Sequence, residues 1–355
     1  MKSFKIGRNT ISDSSPTYFI ADIAANHDGN LQRAKELISL AREAGANGVK
    51  FQHFLADKIV SKAGFERLGG QLSHQSKWTK SVYEMYEDAS ISREWTRELK
   101  EHCDNEWIDF FSAPYDLDAI EHLNPYVSVH KIGSGDITWP EILIAMAKTG
   151  KPIILSTGAS TLADVVRATN TILPLNKQLA VLQCNTNYTG SQDNFRYSSL
   201  NVLKLYQQLY PDLIVGLSDH TPHHAAVLGA VALGARIIEK HFTDDTGRAG
   251  PDHPFSMDPK TWKEMVLRTR ELEMSFGNGA KVVEDNEKDT VVVQRRCVRA
   301  AVMLSPGDVI TRDKISVLRP APAGAIMPYE IDEIIGLKIN QTVEAGRELT
   351  WESFK

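Results

Sequence analysis

Short runs of β-branched and aromatic residues alternate along this chain with longer segments whose apolar positions recur at helical spacing. The strand-like runs fall at 18–24, 48–52, 108–112, 127–132, 152–157, 179–183, 213–218 and 236–242. Helix-like segments follow them, among them 31–44, 93–103, 139–148, 162–173, 200–210 and the alanine-rich 225–235. Eight strand–helix alternations predict an α/β fold, a (β/α)8 TIM barrel. An open doubly wound sheet is the alternative, but no G-x-G-x-x-G follows the first strand.

Two segments depart from the alternation. Residues 53–92 form a long connection containing Gln71-Leu-Ser-His-Gln75, Trp78 and several tyrosines. Connections of that length inside a compact domain usually carry function or move. After a helix-like 259–276 the chain turns polar and rich in Gly, Glu and Asp, and then reads as short strands and turns. The expected organisation is a catalytic barrel over 1–278, a linker over 279–294 and a small β-rich domain over 295–355.

Composition narrows the class without naming a function. The 355 residues are 42% hydrophobic and 24% charged, with formal charge −5 and no Lys/Arg block, so a nucleic-acid or anionic-membrane partner is not expected. Cys103, Cys184 and Cys297 are scattered and form no C-x-x-C, which suits reduced thiols and a cytoplasmic setting. The first residues lack the apolar core of a signal peptide, and the longest apolar run is far short of a bilayer span.

In a barrel the strands are buried on both faces, so a charged strand residue is costly unless a partner or ligand satisfies it. The C-terminal rim of the strands is where barrel sites are built. Near those ends lie Asp22, Lys50, Gln52, Ser112, Lys131, Ser134, Ser156, Asn185, Ser218, His220, Glu239 and His241. Strand alternation puts Lys50 with Gln52, Ser218 with His220, and Glu239 with His241 on common faces, and turns Lys240 away. His220 and His241 close two strands joined by one helix. Such strands are parallel neighbours about 4.8 Å apart, so the two imidazoles can converge on one divalent ion. Lys50 and Lys131, with Ser134, Ser156 and Ser218, suit an oxyanion. Alternatively, the lysines are buried ion-pair partners of Asp22 and Glu239. Asp28-Gly29 reads as a turn and Asn30 as a helix N-cap, which leaves Asn26 and His27 unexplained. The Gly250-Pro-Asp-His-Pro-Phe-Ser256 loop offers one carboxylate, Asp252, to a hydroxyl-rich ligand.

Seven motifs then occur in order: Asp22-Ile-Ala-Ala-Asn-His-Asp-Gly29, Val49-Lys-Phe-Gln52, Lys131-Ile-Gly-Ser-Gly135, Leu155-Ser-Thr-Gly158, Gly216-Leu-Ser-Asp-His220, Ile238-Glu-Lys-His-Phe242 and Gly250-Pro-Asp-His253. Together they resemble the sialic acid synthase family, the phosphoenolpyruvate-dependent nonulosonate synthases, and residues 295–355 resemble its antifreeze-like domain. The resemblance implies a metal site at His220 and His241 for Mn2+ or Mg2+. It implies phosphoenolpyruvate contacts at Lys50, Lys131, Ser134, Ser156 and Ser218, with Asn185 or Asn187 supplying a further one. It implies amino-sugar contacts at Gln52, Tyr188, Glu239 and Asp252, and at Arg319 of a second subunit in a domain-swapped homodimer. Asp22 stands where the family usually has glutamate, and Ala113 where it has threonine.

The expected reaction joins phosphoenolpyruvate to an N-acyl hexosamine, with Glu239, Lys50, Lys131 and Asp22 as the catalytic candidates. Two rivals are a Schiff-base aldolase using Lys50 or Lys131 and a non-catalytic sugar-binding homologue.

Overall fold

The computed structural model describes residues 2–354, apart from the side chain of Lys77. The chain divides into two compact units, 1–276 and 277–355.

The first unit begins with a hairpin that the pattern of residues 3–12 did not flag. Strands β1 (Ser3–Ile6) and β2 (Asn9–Ser12) pair antiparallel and bury Phe4, Ile6 and Ile11. Gly7 sits in the turn at φ +53°, and any side chain there would collide with Asp109.

Eight parallel strands follow: β3 (Tyr18–Asp22), β4 (Gly48–His53), β5 (Asp109–Pro114), β6 (His130–Ile132), β7 (Ile153–Ser156), β8 (Leu179–Cys184), β9 (Ile214–Asp219) and β10 (Ile237–His241). Their order is β5-β4-β3-β10-β9-β8-β7-β6, so first and last barrel strands pair and the sheet curls nearly to closure. All eight expected strands are present, and the fold is a TIM barrel. Helices Leu31–Glu43, Trp95–Asn105, Leu117–Leu123, Pro140–Lys148, Leu162–Ile172, Val202–Leu209, Ala225–Ala232 and Pro259–Ser275 cover it. Nearly every strand residue is buried, as expected where helices cover the outer face and side chains fill the inside.

Helix ends follow local chemistry. Asn30 accepts a hydrogen bond from the Arg33 amide, as its N-cap reading requires. Thr161 and Asp164 form a reciprocal capping box before Leu162–Ile172. The 53–92 connection is not structureless: it folds into helices Ala56–Ile59, Lys62–Arg67 and Val82–Ala89, with a satellite core of Ala56, Val60 and Val82.

The second unit contains helix Lys288–Gln294, inside the stretch expected to be linker. Strands β11 (Cys297–Ala300) and β12 (Ile315–Leu318) pair antiparallel. Short bridges such as Leu304–Val343 and Ala325–Thr350 complete it around a core including Val298, Leu304, Ile326 and Leu349. No helix among the described residues is long and apolar enough to cross a membrane.

Candidate active site

Strand register sets the heights of the charged side chains. Asp22 is level with His241 on one side and Lys50 on the other, across three adjacent strands. Glu239 is level with Ser218, and Ser218 with Cys184, two residues deeper along their strands. These side chains, with Gln52, Lys131, Ser134, Ser156, Tyr188, His220 and Asp252, line one cavity of about 370 Å³. That volume is within the range of small-molecule sites, about 300–1,000 Å³.

The cavity floor is a chain of buried ion pairs. Lys50 Nζ lies 2.8 Å from Asp22 Oδ2 and 3.1 Å from Glu239 Oε1, and Lys131 Nζ lies 3.5 Å from the same Glu239 oxygen. Lys131 also donates to Ser156 Oγ at 2.7 Å, and Ser218 Oγ donates to Glu239 at 3.1 Å. The oxyanion and ion-pair readings of the lysines are therefore compatible: they pair with Asp22 and Glu239 and also line the cavity. Burial alone would push Glu239 up, but Lys131 and Lys50 hold it down at about 2. Against burial, Asp22 and Glu239 raise Lys50. Burial lowers Lys131, which has the weaker carboxylate contact. Asp22 is pushed up by burial against the pull of Lys50.

His220 and His241 face the same space with ring centroids 5.4 Å apart. Burial lowers both to about 3, so both rings are neutral, the form that binds cations. His220 Nδ1 meets the Asn185 carbonyl at 2.9 Å, which puts its proton on Nδ1 and leaves the Nε2 lone pair free. His241 Nδ1 and Glu239 Oε2 are buried without a hydrogen-bond partner. Among the described residues no cluster of three or more His, Cys, Asp or Glu side chains forms a ready metal cage.

Several expected residues fall elsewhere. Asn185 contributes its backbone carbonyl to His220, and Asn187 Oδ1 accepts from the Thr189 amide and hydroxyl, so neither side chain lines the cavity. Ser112 bonds His53 on the outer side of the barrel wall. Lys240 does turn away from the cavity, but it is buried rather than snorkelling, paired with Asp219 at 2.5 Å. Arg319, expected to act on the cavity of a second subunit, is exposed in the second unit, as that role requires.

The loops after β3 and β10 are clasped together. Asn26 Nδ2 donates to the Phe242 carbonyl and to Ser256 Oγ, both at 2.9 Å. Ala25 N donates to Asp252 Oδ2 at 3.1 Å, and His253 bridges Thr243 Oγ1 at 2.7 Å and Asp28 Oδ1 at 3.0 Å. This explains Asn26; His27 packs edge-on against Trp95 and accepts from the Gly29 amide. Cavity residues that the strand pattern did not single out include His74, Met85, Tyr86, Tyr115 and Asp136. The length and aromatic content of 53–92 marked the first three, and Asp136 follows Ser134 by two positions.

The NeuB family model matches residues 37–281, and the SAF domain model matches residues 295–355. The chain belongs to the NeuB family. It is 37% identical to a Legionella pneumophila protein named N,N'-diacetyllegionaminic acid synthase, over 96% of this chain and 95% of the relative. It is 30% identical to the human N-acetylneuraminate-9-phosphate synthase, over 94% and 91%. The crystal structure of N-acetylneuraminic acid synthetase from Leptospira borgpetersenii, in complex with citrate, is 27% identical, with TM-score 0.71 over 82% of this chain and 95% of that one. The resemblance carried by the seven motifs is thus borne out at the level of family and fold.

Proposed function

We propose that this NeuB-family enzyme condenses phosphoenolpyruvate with the open-chain aldehyde of an N-acyl hexosamine, giving a nine-carbon 2-keto-3-deoxy acid and phosphate. One arrangement carries the reading: two buried lysines and three serines share a cavity with a pair of neutral imidazoles.

Lys50 and Lys131 grip the carboxylate and phosphate of the three-carbon acid, exchanging some of their contact with Asp22 and Glu239 for the substrate. Ser134 Oγ already accepts from the Gly158 amide at 2.9 Å, so its own hydrogen remains for a phosphate oxygen. C3 of the enol attacks the aldehyde carbon, and positive charge develops at C2. Water adds to C2, with Glu239 Oε2 accepting its proton. The former aldehyde oxygen takes up that proton; the C2 hydroxyl then gives up its own proton as C2 becomes a ketone, the bond from C2 to the phosphate oxygen breaks, and phosphate departs. Asp252, Gln52 and Tyr188 hold the sugar, joined by Arg319 from a second copy in a domain-swapped dimer.

A divalent cation, Mn2+ or Mg2+, suits the unpartnered nitrogens of His220 and His241 and would supply Lewis acidity at the aldehyde oxygen.

The test is phosphate release from phosphoenolpyruvate, with Mn2+ present, across N-acyl mannosamines and 6-deoxy diacetamido sugars. Release that requires a sugar supports the reading, and none with any sugar refutes it. The lowered Lys131 favours a Schiff-base aldolase as second reading. Borohydride trapping of a pyruvate adduct on Lys131 would establish that reaction instead.

A further inference from the structure

Behind the histidine pair, on the face that β9 and β10 turn away from the cavity, lies a buried cation that the condensation does not use. The two strands run side by side, and their paired register ends at Asp219 opposite Lys240. Lys240 Nζ lies 2.5 Å from Asp219 Oδ2, with the two side chains 2% and 3% exposed. The same ammonium donates to the Thr221 carbonyl at 2.6 Å. Asp219 accepts from the Thr221 amide through Oδ1 and from the Thr221 hydroxyl through Oδ2, both at 3.0 Å.

His220 is the residue that these contacts enclose. β9 ends at Asp219, so the paired register stops one residue short of His220. The Asn185 carbonyl holds the imidazole at Nδ1. The chain on either side of the imidazole, Asp219 and Thr221, is fastened to Lys240. Lys240 immediately precedes His241 and, by strand alternation, points the opposite way. One ammonium thus ties the backbone that carries the first imidazole to the strand that carries the second. A buried ion pair contributes little net stability over apolar side chains of the same volume, so stability does not account for this one. What the pair does fix is position. Two imidazoles can share a cation only while their nitrogens hold within roughly 0.5 Å of one geometry.

We propose that the Lys240–Asp219 pair, with Thr221, is a positioning clamp that sets the spacing of His220 and His241 for a divalent cation. The proposal rests on the metal site of the condensation reading and gives outward-facing residues a part in it. None of the three is among the described residues that line the cavity, so they act through the histidines and not on substrate. Losing the outer partners of metal ligands typically weakens metal binding by about 10- to 100-fold.

The experiment uses the double variant Asp219→Asn/Lys240→Met, which removes both charges together and leaves neither buried ion unpaired. The probe is Mn2+ added to the metal-free full chain. By titration calorimetry the dissociation constant for Mn2+ should rise by about 10- to 100-fold. Pulsed electron paramagnetic resonance should count two imidazole nitrogens on Mn2+ in the parent and fewer in the variant. The melting temperature in chelator should stay near the parent's, and KM for phosphoenolpyruvate at saturating Mn2+ should hold within about 2-fold. Unchanged Mn2+ affinity and nitrogen count overturn the proposal, whatever the melting temperature does. Weakened Mn2+ binding accompanied by a raised KM for phosphoenolpyruvate and a lowered melting temperature marks general disruption and overturns it too. If the double variant fails to fold by circular dichroism, Thr221→Val decides, because it removes only the hydroxyl that Asp219 holds. Its dissociation constant for Mn2+ should rise by about 5-fold, and no change overturns the clamp. A parent that binds no Mn2+ through imidazole defeats the metal site itself, and the clamp with it. A parent with two coordinated nitrogens and an unchanged variant defeats the clamp alone.

Discussion

Lys50 Nζ and Asp22 Oδ2 lie 2.8 Å apart at the centre of the barrel, with side chains 4% and 2% exposed. The same ammonium also holds Glu239. A buried ion pair contributes little net stability, but removing one partner strands the other without water. Lys50→Met leaves two carboxylates facing each other in the cavity. It should lower unfolding stability by about 3–5 kcal/mol near neutral pH and abolish phosphate release. The deficit should shrink as pH falls, because protonation relieves both carboxylates, and adding Asp22→Asn should recover part of it. Urea unfolding of the single and double variants at pH 7.5 and 5 measures this. A stable Lys50→Met with unchanged pH dependence would contradict the network.

The barrel was legible because its strands are β-branched runs buried on both faces, and alternation correctly paired Lys50 with Gln52 and Glu239 with His241. Periodicity reports which side of a strand a residue occupies, not what the side chain meets. Ser112 illustrates the limit: its position along β5 puts it with the rim, yet its hydroxyl bonds His53 outside the barrel. Asn185 and Asn187 show another, because after β8 the loop geometry decides whether a side chain or a carbonyl is offered. The hairpin 3–12 was missed because two four-residue strands carry too few alternations to stand out. The rings of Phe54, Tyr86, Trp78, His74 and Tyr188, which touch in succession along one side of the cavity, could not be grouped from the sequence because tertiary contact alone joins them.

Asp252 should dominate one part of the pH–stability profile. Burial pushes its carboxyl from the ordinary value of 3.8 to about 7, only partly offset by the hydrogen bond from Ala25 N. A carboxyl raised in the folded state contributes stability that is fully present below the unfolded value and is lost as pH rises through the folded one. Asp252→Asn stays neutral throughout and retains an oxygen for Ala25. Its melting temperature should match that of the parent near pH 4 and exceed it at pH 8. A constant difference between the two proteins across that range would rule out Asp252 as the titrating group.

The clasp between the loops after β3 and β10 depends on a missing side chain. A Cβ on Gly250 would lie 2.6 Å from Cδ2 of His253, the ring that bridges Thr243 and Asp28. Gly250→Ala must displace that ring, at a cost of about 1–3 kcal/mol. Asp252 stands between the two residues, so the displacement should reach the end of the cavity proposed for the sugar and not the lysines. KM for the sugar should rise while KM for phosphoenolpyruvate holds, and the melting temperature should fall. A rise in both Michaelis constants would place the disturbance at the floor instead.

Metal removal separates the histidine pair from the rest of the site. Both rings are neutral and carry nitrogens with no protein partner, so binding needs no proton to leave them near pH 7. Chelation should abolish phosphate release, and Mn2+ should restore it. Ligand binding to the folded state alone also raises stability, by about 2.7 kcal/mol at one hundred times the dissociation constant. The parent should therefore melt at a higher temperature with Mn2+ than with chelator. His220→Ala and His241→Ala should lose that increment and the bound Mn2+ counted by mass spectrometry, whereas Lys131→Met should keep both while losing turnover. Undiminished Mn2+ binding in both histidine variants would move the metal away from β9 and β10.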